Sequence, residues 1–192
     1  MRRFLCNVGR LAALALPAAL LMLAPAPGVS ADLQVVLADG PFDAVTPASS
    51  PILGMVGRKG GEVLYVAVIT GPAQDVTFTL PTAPCAGLPP YFVGPVPVEI
   101  TPPDSDAYIS MVGTAVKIEH LTIPSSGSVE VRVGPVSIKG MNTQACCTRA
   151  AVADASGLSK PSRPTEAAGA ACGSGYSGFF VVDPAAPPVA AD

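Results

Sequence analysis

The segment Ser-Val-Glu-Val-Arg-Val, residues 128–133, constrains the fold more than any other. Val129, Val131 and Val133 fall on one side of an extended chain, and Glu130 and Arg132 fall on the other. Side chains of a strand leave alternately to opposite faces, so this pattern describes a strand with one face buried and one face wet. Residues 62–70, 75–80, 91–100 and 115–123 are likewise rich in β-branched and aromatic residues, and the valine run extends over 128–138. Turn-forming residues separate them: Gly71-Pro72, the Gly-Leu-Pro-Pro of 87–90, the Thr-Pro-Pro-Asp-Ser-Asp of 101–106 and the Pro-Ser-Ser-Gly-Ser of 124–128. Short strands closing on turns every 8 to 12 residues or so predict an all-β, antiparallel sandwich of about seven to nine strands. Residues 155–171 are polar, small and broken by proline, and are expected to form a long loop.

The first residues place the chain outside the cytoplasm. Arg2, Arg3 and Arg10 precede an apolar run over 11–23, and Ala-Pro-Ala-Pro-Gly-Val-Ser-Ala follows, ending in small residues. This is the order of a secretory signal peptide, with an apolar core too short to span about 30 Å of hydrocarbon. Residues 1–31 are therefore read as a leader cut after Ala31, residues 32–183 as one domain, and the Pro/Ala-rich 184–192 as a tail. The cut removes three arginines and no acid, so eight Lys+Arg stand against 14 Asp+Glu, a side-chain charge of about −6. Such acidity argues against nucleic acid as a partner and against charge-driven adhesion to anionic lipid. No later segment reaches membrane-spanning length, so the expected location is the periplasm, the medium or the cell surface.

Cleavage after Ala31 also removes Cys6 and leaves Cys85, Cys146, Cys147 and Cys172. An even number of cysteines in an oxidising compartment reads first as two disulfides. A bond between the adjacent Cys146 and Cys147 requires a distorted peptide, and in a strand the two thiols leave on opposite faces. Separate partners are therefore expected, one neighbour bonding Cys85 and the other Cys172. If the strand continues through Ala150 and Val152, Cys146 and Thr148 share its inner face, and Cys147 and Arg149 its outer face. The sharper alternatives are a vicinal redox switch and a thiolate metal site, but no Cys-x-x-Cys pair or second histidine supports a zinc cage.

Other motifs fail on context. Gly-Ser-Gly-Tyr-Ser-Gly, 173–178, has the spacing of a dinucleotide loop, yet it precedes an apolar strand where the phosphate site needs a strand before it and a helix after it. His120, the only histidine, sits in the strand run 115–123 without a nucleophile pattern nearby, and reads as solvated. Asp104 and Asp106 are too few for a calcium shell of six to eight oxygens and read as turn caps. The chain has no Trp; Tyr65, Tyr91 and Tyr108 lie in or beside apolar, strand-like runs and are expected in the core, leaving Tyr176 exposed. No catalytic set, metal site or cofactor is indicated, and no wall-sorting motif closes the chain.

Taken together, Gly-Pro-Ala at 71–73 with Val76, Leu80-Pro81, Gly87-Leu88, Leu121, Pro124, Gly127-Ser128, Ala150 and Val152 resemble a known pattern. It is that of the conserved-repeat, immunoglobulin-like β-sandwich found in tandem in large bacterial surface proteins. The likeness covers residues 62–154. It departs from the family in lacking the aspartate after the second strand, in the inserted Thr-Ala-Pro-Cys-Ala of 82–86, and in having a single copy. The resemblance implies an immunoglobulin-like fold and a non-enzymatic structural, adhesive or assembly role, with other surface or extracellular proteins as partners. The competing function is an extracellular ligand-binding module for carbohydrate, peptide or calcium.

Overall fold

The valine run lies in the middle of a sheet. In the computed structural model, which describes residues 28–37, 56–58, 60–81, 95–125, 127–137, 144–165, 172 and 175–182, β8 (Ser128–Ser137) buries Val129, Val131 and Val133. It pairs antiparallel with β3 (Glu62–Thr70) on one side and β5 (Val98–Thr101) on the other, setting Val131 between Ala67 and Ile100. On the far side of β3 runs β1 (Ser30–Leu37), antiparallel, followed by the two-residue β12 (Arg163–Pro164), parallel to β1, in the order β12-β1-β3-β8-β5. The β3–β8 register shifts between Val63 and Tyr65, and Gly134 sits opposite with φ +120°. A Cβ there would stand 2.9 Å from the Val63 carbonyl oxygen, so the irregularity needs glycine.

A second five-stranded sheet runs β11 (Ser159–Pro161), β10 (Ala151–Ala153), β4 (Ala73–Pro81), β7 (Ala115–Ile123), β6 (Tyr108–Val112). The inner faces of the two sheets form one buried cluster. Leu33, Val35, Tyr65, Ile69 and Val131 come from the first sheet, and Val76, Phe78, Leu80, Val116, Ile118 and Val152 from the second. Each such side chain contributes about 1.5–3 kcal/mol on burial, and the period of two in the sequence aims them all inward. The architecture is a β-sandwich.

A third, smaller sheet has the order β2 (Val56–Arg58), β13 (Ser177–Val182), β9 (Gln144–Thr148). The buried Ser177 hydroxyl donates to the Leu33 carbonyl at 2.8 Å and ties this sheet to β1. Residues 146–152 form one extended path that changes sheets: 144–148 pair with β13, and 151–153 pair with β4. Alternation survives the crossing, with Cys146, Thr148, Ala150 and Val152 buried and Cys147, Arg149 and Ala151 half-buried. No helix among the described residues is long and apolar enough to cross a membrane.

Some expectations need correction. The long loop expected over 155–171 holds two edge strands: β11 adds to one large sheet and β12 to the other, with the buried Ser162 between them. Proline discouraged the assignment, but an edge strand bonds on one side only, so Pro161 and Pro164 need no donor on the open side. Of the run 91–100, the described strand is Val98–Thr101, while residues 91–94 lie outside the described residues and Pro95 and Pro97 precede the strand. Tyr108, expected in the core, is 61% exposed on an edge strand, whereas Tyr65 is buried as expected and Tyr91 lies outside the described residues. The anticipated cleavage point after Ala31 falls inside β1. Val29 and Ala31 are buried in the core, and the Ser30 and Thr70 hydroxyls are 3.0 Å apart.

Candidate functional site

The adjacent cysteines separate as the strand period requires. Cys146 faces inward and is fully buried opposite Phe179, while Cys147 faces out and is bonded to Cys172, with 5.3 Å between their Cα atoms. Cys146 is also disulfide-bonded. Cys85, its expected partner, lies outside the described residues. β13 passes close under this corner at Gly178, where a Cβ would stand 2.9 Å from Cys172 Sγ and also press on the Cys146 carbonyl; only glycine fits.

Beside the disulfide the change of sheets opens a shallow cleft of about 380 Å3, floored by Thr148 and Ala150 and walled by Pro81, Pro161 and Tyr176. Arg149 lies over the Tyr176 ring, its Cζ 4.9 Å from the centroid, an arrangement worth about 0.5–1 kcal/mol at an exposed site. Tyr176, expected to be exposed, is thus half-buried under a guanidinium. Thr148 spends its hydroxyl on the Pro81 carbonyl at 3.1 Å. Among the described residues the cleft offers a cation, an aromatic face and proline walls, which suits an anionic group carried on an apolar or extended ligand. Among the described residues its lining holds no carboxylate or imidazole.

His120 is not simply solvated. Its Nδ1 lies 2.7 Å from Asp75 Oδ1, both side chains are largely exposed, and both residues occupy the left-handed region, with φ 61° and 55°. They sit where the β4–β7 register shifts, between the Ala73–Ile123, Val76–Leu121 and Phe78–Ile118 pairs. Asp and His are among the non-glycine residues that accept this conformation best. Sequence reading missed the pair because its members stand 45 residues apart. Asp104 caps its turn: Oδ1 accepts the Asp106 N–H at 3.0 Å, and Oδ2 accepts the Thr122 N–H at 2.8 Å. No group of three potential metal ligands occurs among the described residues.

The other feature is an edge. β6 pairs with β7 from Tyr108–Glu119 to Val112–Ala115 and bounds its sheet on the opposite side. Tyr108, Ile109, Met111 and Val112 are all exposed large apolar residues, an unusual concentration on a five-residue strand.

No family model matches the chain, and no curated protein matches it. Among solved structures, the pilus backbone protein RrgB from Streptococcus pneumoniae is similar at 12% identity with a TM-score of 0.42, over 66% of this chain and 31% of that chain. The chain spans under a third of that protein's length, and a likeness this loose carries no argument about function.

Proposed function

We propose that the chain is an exported, non-enzymatic sandwich module that works in extracellular or surface assembly by lending a sheet edge to a protein partner. The observation that carries this reading is β6, an edge strand whose Tyr108 and Val112 are 61% and 57% exposed on a disulfide-bonded sandwich. An open edge offers unpaired N–H and C=O groups to an incoming strand, and apolar side chains add burial to those bonds. A photo-crosslinking residue placed at Val112 in the exported protein tests it. Covalent adducts with extracellular protein, lost when Tyr108 and Val112 are both changed to Lys, are the expected result. An adduct-free protein that hydrolyses substrates in a secreted-enzyme screen would replace the reading with an enzymatic one.

A second reading, an extracellular ligand-binding module, is favoured by Arg149 held over Tyr176 in the cleft. Its ligand would carry a carboxylate or other anionic group on a peptide-like stem. Chemical-shift changes confined to 148–151 and Tyr176 on adding an acidic peptide would support it, and uniform or absent changes would dismiss it.

A further inference from the structure

The two large sheets have four outer strands, and three of them are defended. β11 carries Lys160 and Pro161, β12 is Arg163-Pro164, and β5 carries Glu99 and runs into Pro102 after a cis peptide bond. Charge and proline at an edge are the usual obstacles to further pairing. β6, Tyr-Ile-Ser-Met-Val, has neither.

We propose that β6 pairs with β6 of a second copy of this chain, antiparallel and centred on Ser110, joining two sandwiches edge to edge. The proposal rests on the assembly reading and names the partner. The register argues for self-pairing. Ile109 and Met111 stand opposite the buried Ile118 and Val116 of β7, so they continue the inner face, whereas Tyr108 and Ser110 stand opposite Glu119 and Lys117 on the outer face. Centred on Ser110, Ile109 meets the partner's Met111 and Tyr108 meets the partner's Val112. Apolar then faces apolar on both sides of the sheet, and the two half-covered inner edges cover each other.

Charge allows the same register. Asp106, the acid nearest the strand, falls opposite the partner's Thr114 and not opposite another acid. The Asp104 carboxylate is already held by the Asp106 and Thr122 N–H groups. A slip of two residues toward the strand's start would put Val112 against the partner's Asp106, losing an apolar pair. The contact is isologous, so it closes at two copies and does not grow into a filament.

Sedimentation of the purified, oxidised full chain over rising concentration, with circular dichroism as the check on folding, tests the proposal. Ser110→Asp is well placed, since within one copy the new carboxylate faces Lys117, while across the two-fold axis it faces its own counterpart. The wild-type chain is expected to form dimers and no larger species, and Ser110→Asp to weaken the dimer by at least about tenfold through like-charge opposition. Ser110→Lys should weaken it as well, and mixing the two variants should restore it, because unlike charges then meet. If either variant loses its fold, Tyr108→Lys, opposite Glu119 within its own copy, takes its place and should also weaken the dimer. A wild-type monomer at every concentration, a dimer indifferent to these variants, or a mixture no tighter than its parts overturns the proposal. The assembly reading is judged separately: an adduct at Val112 to a protein of another mass would uphold assembly while refuting self-pairing.

Discussion

The two large sheets and the three-stranded sheet are held by different means. Between the large sheets, valine, isoleucine, leucine and phenylalanine meet in one buried cluster, and burial of apolar area is the main force. At the corner made by β9 and β13, the described buried residues are Cys146, Thr148, Ser177, Gly178 and Phe179, and two of them carry hydroxyls. Their hydroxyls go to the Pro81 and Leu33 carbonyls, and a disulfide lies just outside. Hydrogen bonds that replace bonds to water add about 1 kcal/mol each, so these two contribute modestly. A cross-link that restricts the unfolded chain adds to them. The cleft, with Arg149 over Tyr176, lies at that corner.

The contrast is broken most severely at Val131. It is fully buried in a central strand, so Val131→Asp places a carboxylate between Ala67 and Ile100 and is expected to cost about 4 kcal/mol or more. Arg132, one residue away, points outward and bonds Glu130 Oε1 at 2.6 Å. That pair holds the guanidinium above its usual range through the Glu130 hydrogen bond and charge, but the site is exposed and screened by solvent, so Arg132→Ala should cost little. Thermal unfolding of both variants is the check. Equal melting temperatures would mean the faces of β8 are assigned wrongly.

The disulfide comes next. Cys147 and Cys172 close a loop across a separation of 25 residues, for which chain entropy gives about 3.5 kcal/mol. Replacing both with alanine should lower denaturant stability by about that amount. In hydrogen exchange, β9 and β13 should lose protection before β3, β7 and β8 do. Uniform loss of protection would show that the corner and the sandwich open as one unit.

The start of β1 brings a smaller effect. Export with cleavage after Ala31 gives a mature chain beginning at Asp32, which intact mass of the exported protein would reveal. That chain lacks Val29 and Ala31 from the core and leaves Ile69 and Thr70 paired with β8 alone, while Asp32 keeps its two bonds to Arg163. A protein beginning at Gly28 should therefore be about 2 kcal/mol more stable than one beginning at Asp32. Equal stabilities would mean that residues 28–31 do not add to the folded sandwich.

What could be read from the sequence follows the same division. β3 and β7 have the limits expected of them, because β-branched apolar runs of nine residues end at turn-forming pairs on both sides. The separation of Cys146 from Cys147 was equally legible, since consecutive side chains of a regular strand leave on opposite faces. β6 was not: four of its five residues are large and apolar, so nothing alternates, and its exposure depends on having no strand beyond it. β11 and β12 were hidden by their prolines, which count against a strand only where both sides must bond. The Asp75–His120 pair and the stacking of Arg149 on Tyr176 join residues far apart in the chain, and no local pattern announces either.

The smallest effect is expected at the turn joining β10 to β11, on the border between sandwich and corner. Asp154 Oδ1 accepts the Ser156 N–H at 3.0 Å and the Ser156 hydroxyl, and Gly157 N–H closes the turn on the Asp154 carbonyl at 2.8 Å. These bonds favour the ionised carboxyl, first through the Ser156 hydroxyl and then through its N–H, and hold its pKa below the ordinary carboxylate value. A depressed folded-state pKa means the folded form binds the proton more weakly than the unfolded chain does. The turn's contribution is therefore present above the unfolded pKa and fades as pH falls through the lowered folded one. Because the carboxyl is fully exposed, the effect on unfolding should be slight, and a site-resolved carbon titration is the better measurement. The Asp154 carboxyl should titrate below Asp residues lacking such bonds, and Ser156→Ala should move its midpoint upward. A midpoint at the ordinary value, or one indifferent to Ser156→Ala, would mean that the turn is held by the Gly157 bond alone and that the border between the two regions is not sensitive to acid.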